Sequence, residues 1–300
     1  MSGVAAPKMH TEEIETDVAL VRRLLAGQFP RWSDLAIEPV VSYGTDHDIY
    51  RLGDELSARL PRIGWATAQA AREAQWLPRL EPQLPLAVPV QVARGYPAEG
   101  YPFEWSVYEW LPGENANGTI DDLGAAASDL AAFVRALRQI DTTDAHPRPP
   151  GARGATLGEL DEHVRHAIAQ LEDRIDGDAA LQSWKESHDA PPWERDDVWV
   201  HGDLLPGNLL VVSGRLSAVI DWGGLNVGDP ACDLQPAWNV FTGDSRARYR
   251  SELQVDDATW LRGRGWALCQ AVVALPYYWD TNPGMIRQAS HALVEVLADR

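Results

Sequence analysis

The segment 198–222 constrains the fold more strongly than any other part of this 300-residue chain. It reads VWVHGDLLPGNLLVVSGRLSAVIDW, in which short apolar, strand-favouring runs are separated by polar loops. The Ser213-Gly214 dipeptide lies between the last two runs and predicts a tight hairpin turn. Because the strands of a hairpin are antiparallel, we expect Asp221 to return close to Asn208.

Oxygen-bearing side chains surround this hairpin. Asp203 lies on the loop after the first run, Asn208 precedes the second run and Asp221 follows the third. Taken singly, each is typical of a turn residue that satisfies nearby backbone groups. Their combined spacing favours a site in which oxygen ligands hold Mg²⁺ and a further carboxylate hydrogen-bonds an attacking hydroxyl.

The rest of the chain predicts a strand-rich first part and a mainly helical second part. Short β-prone runs broken by turns fill residues 37–63, and WSVYEWL at 105–111 predicts a strand that ends at a Pro-Gly pair. Helices are expected at 11–27, at 67–77, at 119–140, after the capping box of Thr156 and Glu159, and after Asn282-Pro283. We therefore divide the chain into a first part at 1–107, a connection at 108–114 and a second part at 115–300.

Composition argues against two kinds of partner. The net charge of −18 disfavours nucleic acid, which needs a basic surface, and it suits a cationic ligand as well as plain solubility. No apolar run reaches the roughly 18 residues of a membrane-spanning helix. The N-terminal residues lack the pattern of a secretory signal, and Cys232 and Cys269 stand in apolar runs as buried thiols do. We expect a cytoplasmic protein; the sequence does not indicate its oligomeric state.

The motifs around the hairpin resemble those of the aminoglycoside phosphotransferase family, which is related to the protein kinases. The matching segments are HGDLLPGN at 201–208, IDW at 220–222 and DPACD at 229–233. The resemblance implies an α+β, protein-kinase-like fold of two lobes, with a small antiparallel sheet in the N-terminal lobe and a larger, mainly helical C-terminal lobe. It also implies Mg²⁺ as cofactor and ATP or GTP as phosphate donor.

The resemblance assigns roles to the residues of these motifs. Asp203 orients the acceptor hydroxyl and takes its proton, and His201 braces the catalytic loop. Asn208 and Asp221 hold Mg²⁺ against the nucleotide phosphates, and Asp233 anchors the loop from below. Phosphoryl transfer of this kind depends on positioning and on neutralisation of charge.

A second set of residues is implied for the nucleotide. Protein kinases place a lysine on the third strand and a glutamate on the next helix, but the two lysines of this chain, Lys8 and Lys185, lie elsewhere. Arg59 is the residue that takes the lysine's position, with Glu73 as its partner; a surface ion pair of little energetic value is the alternative. Arg62 is the other candidate for the phosphates.

Two further segments are implied to meet the nucleotide. Ser42 and Thr45 lie in the turn that would cover the phosphates, although a plain hairpin turn fits this segment equally well. Tyr108 and Trp110 belong to the connection whose backbone would meet the purine base. Backbone recognition leaves no side-chain pattern, so the sequence does not distinguish ATP from GTP.

The acceptor is expected to bind in the helical part beside Asp203. Aromatic residues near an acidic group suit a cationic or sugar-bearing ligand, although helical domains also bury aromatics for packing. The candidates are Trp238, Tyr277, Tyr278, Trp279 and Asp280. The function implied is transfer of a γ-phosphate to a hydroxyl of an antibiotic such as an aminoglycoside or a macrolide. A metabolic small-molecule kinase and a kinase-like binding protein with little turnover remain the alternatives.

Overall fold

The computed structural model of the chain describes residues 13–40, 46–171 and 174–299. The described residues divide into two compact units. The first takes the residues up to Pro82 together with Val88–Pro112, and the second takes Gln83–Ala87 and the residues from Gly113 onward. The change of unit at Pro112 and Gly113 falls within the predicted connection 108–114.

The first unit is an antiparallel sheet with two helices. Its helices are α1 (Val18–Gln28) and α2 (Thr67–Leu80), and its strands are β1 (Ile37–Pro39), β2 (His47–Leu52), β3 (Leu56–Pro61), β4 (Gln91–Gly95) and β5 (Trp105–Glu109). The strands follow the order β1-β2-β3-β5-β4, and every neighbouring pair is antiparallel. The apolar faces of α1 and the sheet form one buried cluster around Trp105.

The two helices of this unit differ in extent from the sequence-based prediction. The first was expected from residue 11 but begins at Val18, because the side chain of Asp17 caps it by accepting the Leu20 amide at 2.6 Å. The second was expected to stop at Pro78 but continues to Leu80. A proline in the last turn removes only one intrahelical hydrogen bond, and the burial of Leu80 favours the extra turn.

The second unit is mainly helical. Its strands are β6 (Glu114–Asn115), β7 (Val198–Val200), β8 (Leu209–Val212), β9 (Arg215–Val219) and β10 (Asn226–Gly228). Its helices are α3 (Leu123–Gln139), α4 (Asp161–Leu171), α5 (Gly177–His188), α6 (Pro236–Asn239), α7 (Gly243–Leu253), α8 (Asp257–Tyr278) and α9 (Pro283–Ala298). The predicted hairpin is the β8–β9 pair, and the predicted capping box of Thr156 and Glu159 precedes α4. Together the units confirm the predicted α+β class.

The segment 83–87 belongs to the second unit, although the sequence placed it in the first. Ala87 lies parallel to Ala218, its amide donates to the Ser217 carbonyl at 3.1 Å, and its carbonyl accepts the Val219 amide at 2.9 Å. The segment therefore extends the edge of β9. No helix in the described ranges is long and apolar enough to cross a membrane.

Candidate active site

The loop between β7 and β8 carries the HGDLLPGN motif. Gly202 has a φ of 80°, a left-handed conformation that a glycine adopts without strain. The completely buried carboxylate of Asp233 accepts the backbone amides of His201 and Gly202 at 2.8 and 2.7 Å. These contacts are those expected of Asp233 as the anchor of the loop.

His201 lies beneath the loop with both ring nitrogens engaged. Its Nδ1 accepts the Asp203 amide at 3.2 Å, so its Nε2 carries the proton and donates to the Ile220 carbonyl, also at 3.2 Å. The ring is completely buried and packs edge-on against Trp222 with centroids 4.7 Å apart. Burial lowers the pKa of His201, which favours a neutral imidazole. This placement suits a residue that holds the loop in shape.

The carboxylate of Asp203 is oriented by three side chains. Its Oδ2 accepts a hydrogen bond from Asn208 at 2.9 Å, and the same amide nitrogen donates to the Asp203 carbonyl at 2.9 Å. Its Oδ1 accepts hydrogen bonds from Gln270 at 2.9 Å and Arg153 at 3.3 Å. Burial raises the pKa of Asp203 above its ordinary value, and the charge of Asp221 acts in the same direction. A raised pKa suits a carboxylate that accepts a proton.

The β8–β9 hairpin brings Asp221 to the same place. The amide of Ile220 donates to the carbonyl of Asn208 at 2.9 Å, so the residue after Ile220 lies beside the loop of the HGDLLPGN motif. Asp221 has a φ of 61° and a ψ of 73°, a left-handed conformation that aspartate tolerates better than most residues. This is the arrangement predicted by the Ser213-Gly214 turn.

Asn208 and Asp221 fit a magnesium ion. Because the Nδ2 of Asn208 donates to Asp203, its Oδ1 is the atom that can ligate a cation. Amide and carboxylate oxygens are hard ligands, and Mg²⁺ takes few of them from protein because phosphate oxygens and water complete its shell. No cluster of three or more His, Cys, Asp or Glu side chains suited to a metal occurs among the described residues, so the fit rests on this mixed pair.

Two residues that touch Asp203 were missed by sequence reasoning. Arg153 lies in the loop 144–155, which its composition marks only as irregular. Gln270 lies on α8 in the largely apolar stretch WALCQAVVAL. A polar residue within an apolar helical stretch indicates a buried hydrogen bond, and that was the available signal for Gln270. No pattern in the sequence distinguishes Arg153 from the other arginines.

The first unit contains a buried carboxylate shared by three donors. Glu73 of α2 accepts hydrogen bonds from Arg59 of β3 at 3.0 Å, from Gln69 at 2.9 Å and from the hydroxyl of Tyr108. Burial raises the pKa of Tyr108, which keeps its hydroxyl a donor. These side chains line a small recess in the first unit. The pairing of β3 with α2 through Arg59 and Glu73 is the one that the sequence predicts.

Arg62, the alternative to Arg59, has other partners. Its Nη2 lies 2.7 Å from the carboxylate of Glu13 and its Nε lies 3.7 Å from that of Asp48. Its backbone carbonyl accepts the amide of Ile14 at 2.9 Å. Arg62 therefore ties the segment before α1 to the end of β3.

The other segments predicted to meet the nucleotide are the turn with Ser42 and Thr45 and the connection with Tyr108 and Trp110. Ser42 and Thr45 lie outside the described residues. The amide of Glu109 donates to the Val90 carbonyl at 2.9 Å, and that of Trp110 donates to the Glu55 carbonyl at 2.7 Å. These two amides are engaged inside the first unit, so recognition of a base by the predicted connection would use its other backbone groups.

The residues predicted to meet the acceptor do not share one environment. Trp238 is completely buried, packs against Trp260 and donates to the Asp299 carboxylate at 2.8 Å, so its side chain belongs to the core. Tyr278 is half-buried at the end of α8, and Asp280 is exposed just beyond it. Tyr277 and Trp279 are exposed neighbours of this pair. Their role in acceptor binding stays a prediction.

The architecture and these motifs agree with a known family. The family model described as "Phosphotransferase enzyme family" matches residues 39–266. The chain belongs to the phosphotransferase enzyme family. The resemblance seen in the motifs at 201–208, 220–222 and 229–233 is thereby confirmed.

Curated relatives and solved structures are also similar to the chain. An aminoglycoside 3'-phosphotransferase from Escherichia coli is 29% identical over 119 residues, which are 37% of this chain and 42% of that relative. A GDP and kanamycin complex of an APH(2'') enzyme has a TM-score of 0.71 at 18% identity, covering 93% of this chain and 99% of that chain. The structure of a macrolide 2'-phosphotransferase type I has a TM-score of 0.62 at 22% identity, covering 94% and 98%. The structural likenesses show a shared kinase-like fold.

Proposed function

We propose that this protein transfers the γ-phosphate of ATP or GTP to a hydroxyl of a small molecule, namely an antibiotic of the aminoglycoside or macrolide kind. The observation that carries the proposal is the arrangement around Asp203. Its carboxylate is oriented by Asn208 on the same loop, and the neighbouring hairpin brings Asp221 beside Asn208. A base and a mixed pair of hard oxygen ligands are the parts that phosphoryl transfer requires.

In this proposal Asp203 acts as the base. It accepts a hydrogen bond from the acceptor hydroxyl, orients that oxygen for attack and takes up its proton as the new bond to phosphorus forms. The raised pKa of Asp203 favours proton acceptance. His201 and Asp233 act indirectly, because their hydrogen bonds hold the backbone of the loop in place.

Asn208 and Asp221 are the proposed ligands of Mg²⁺. The ion, when bound, neutralises charge on the phosphate oxygens during transfer. Arg59 is proposed as the phosphate contact of the first unit. Glu73 holds its guanidinium, whereas Arg62 is paired with Glu13. A guanidinium offers two parallel donors to phosphate oxygens, so it supplies the charge that a lysine supplies in protein kinases.

The remaining assignments rest on composition and on the relatives. A net charge of −18 attracts a cationic acceptor, and the similarity to an aminoglycoside 3'-phosphotransferase supports an aminoglycoside. The structural similarity to a macrolide 2'-phosphotransferase is the reason for including macrolides. Residues 108–114 are proposed as the hinge between a nucleotide lobe at 1–107 and an acceptor lobe at 115–300. The free, buried thiols of Cys232 and Cys269 support a cytoplasmic location.

The test is phosphate transfer from Mg-ATP and Mg-GTP to a panel of aminoglycosides, macrolides, peptide antibiotics and small amino alcohols. We expect a phosphorylated aminoglycoside or macrolide that forms with the wild type and not with Asp203→Ala. Transfer to an amino alcohol alone would indicate a metabolic kinase. Binding of nucleotide without transfer to any acceptor would indicate a kinase-like binding protein.

A further inference from the structure

The loop 144–155 is docked firmly enough to position the side chain of Arg153. Glu159 accepts the backbone amide of Gly151 at 2.9 Å and the guanidinium of Arg148, also at 2.9 Å. Gly154 has a φ of 83°, and its carbonyl accepts the Asp229 amide at 2.9 Å. The backbone on both sides of Arg153 is therefore held by the second unit.

Two motif glycines leave room for the stem of Arg153. A Cβ on Gly202 would lie 2.5 Å from the Cβ of Arg153, and a Cβ on Gly224 would lie 3.3 Å from its Cγ. Gly202 belongs to the HGD motif, and Gly224 lies three residues after Asp221. The side chain thus crosses the two loops that carry the candidate active site, and its guanidinium ends 3.3 Å from Asp203.

The two oxygens of the Asp203 carboxylate have different numbers of donors. Oδ1 receives hydrogen bonds from Arg153 and from Gln270. Among the described side chains, only Asn208 donates to Oδ2. A carboxylate oxygen accepts about two hydrogen bonds, one for each lone pair. Oδ1 is therefore saturated, whereas Oδ2 keeps one lone pair for a further donor.

We propose that Arg153 and Gln270 are positioning residues that saturate Oδ1 of Asp203 and so make Oδ2 the atom that receives the acceptor's proton. This proposal rests on the proposed phosphotransferase function. In the step, the acceptor oxygen forms its bond to the γ-phosphorus while its O–H bond breaks and the proton passes to Oδ2. The bond from the γ-phosphorus to the bridging oxygen breaks, and the nucleoside diphosphate leaves with the electron pair.

The ion pair itself contributes little to stability. The side chains of Arg153 and Asp203 are 34% and 25% exposed, and water screens a pair at that exposure. The loss of Arg153 is therefore expected to change orientation within the site and to leave the melting temperature nearly unchanged. A purely structural arginine would show the opposite pattern.

The kinetic test compares Arg153→Ala with Arg195→Ala, a matched substitution of an exposed arginine of the same unit that contacts neither Asp203 nor the loop 144–155. With an acceptor that the wild type phosphorylates, we expect Arg153→Ala to lower kcat by about 10- to 100-fold. We expect its KM values for acceptor and Mg-nucleotide to stay within about twofold, and added guanidinium ion to restore part of kcat. An unchanged kcat, or a raised KM with unchanged kcat, overturns the proposal.

A second measurement does not depend on an acceptor. Crystal structures of the nucleotide-free wild type, Arg153→Ala and Gln270→Leu report the orientation of the Asp203 carboxylate directly. We expect the carboxylate to rotate or to split between two orientations in the variants. If it keeps its orientation in both, the proposal is wrong. A wild type that transfers no phosphate to any acceptor would refute the proposed function, and the crystal structures would still decide the positioning.

Discussion

The side-chain amide of Asn208 donates to both the carbonyl and the Oδ2 of Asp203, at 2.9 Å in each case. The proposed metal ligand thus orients the proposed base, and the two functions share one side chain. Removal of the proposed base is nevertheless separable from removal of the metal, because Asp221 is a second, separate proposed ligand.

We expect Asp203→Ala to lower kcat by about 10²- to 10⁴-fold while leaving nucleotide affinity nearly intact. The reason is that the proton of the acceptor hydroxyl loses its destination, whereas Asn208 and Asp221 remain. Initial rates and calorimetric titration with Mg-nucleotide measure the two effects. Asp197→Ala removes an exposed carboxylate of the same unit and is the control. Full activity in Asp203→Ala would contradict the assignment.

Asp221→Asn is expected to weaken Mg-nucleotide binding by about tenfold or more. Asparagine tolerates the left-handed backbone found at this position, so the variant removes the charge without adding strain. Asp221→Ala is expected to lose about 1 kcal/mol of stability in addition. Titrations with and without EDTA, together with thermal melts, separate the effects. Equal affinity for Mg-nucleotide in wild type and Asp221→Asn would exclude Asp221 as a ligand.

Arg59 and Arg62 are expected to give opposite readouts. Arg59→Ala raises KM for the nucleotide by about tenfold or more, because a charge-assisted contact to phosphate is lost while Gln69 and Tyr108 still satisfy Glu73. Arg62→Ala lowers the free energy of unfolding by about 3 kcal/mol, because it removes the ion pair between Arg62 and the buried carboxylate of Glu13. Steady-state kinetics and urea unfolding decide between them. A nucleotide defect in Arg62→Ala alone would reverse the assignment.

Glu159 is expected to make the fold sensitive to acid. The hydrogen bond from Arg148 is the main cause that lowers the pKa of Glu159 to about 2, from an ordinary value of 4.5. A carboxyl group with a depressed pKa stabilises the fold above its unfolded pKa, and this stabilisation is lost as the pH falls toward the folded pKa. Glu159→Gln should therefore lower the melting temperature at pH 7.

The pH dependence of that difference is the decisive measurement. The gap between wild type and Glu159→Gln should shrink as the pH falls from 4.5 toward 2. Glu162→Gln, which removes an exposed carboxylate from the first turn of α4, is the control. A gap that stays constant with pH would mean that Glu159 acts through contacts other than its charge.

The sequence predicted the parts of the site that depend on local patterns. The Ser213-Gly214 turn was enough to bring Asp221 beside Asn208, because the register of a short hairpin follows from its turn. Asp233 and Glu73 followed from family motifs and lobe order. These predictions needed no knowledge of how distant segments pack.

The positions of Arg153, Gln270 and Trp238 depend on how distant segments pack. Arg153 is 50 residues from Asp203 in the sequence, and Gln270 is 67 residues from it. Neither hydrophobic periodicity nor a local motif predicts contacts between residues so far apart. Trp238 was expected beside the acceptor because aromatics line ligand sites. In the structure it is buried against Trp260, as most large aromatics in helical cores are.

The arginine held by Glu73 on the third strand also determines which reagents will label this protein. An acylating group modifies an amine such as that of a lysine, and protein kinases have a lysine at the position proposed for Arg59. A guanidinium stays protonated at physiological pH and does not attack such a group. Lys185, the lysine among the described residues, lies on α5 in a pair with Asp189. An acylating nucleotide analogue is therefore expected to leave Arg59 of the wild type unmodified and to modify the lysine of Arg59→Lys.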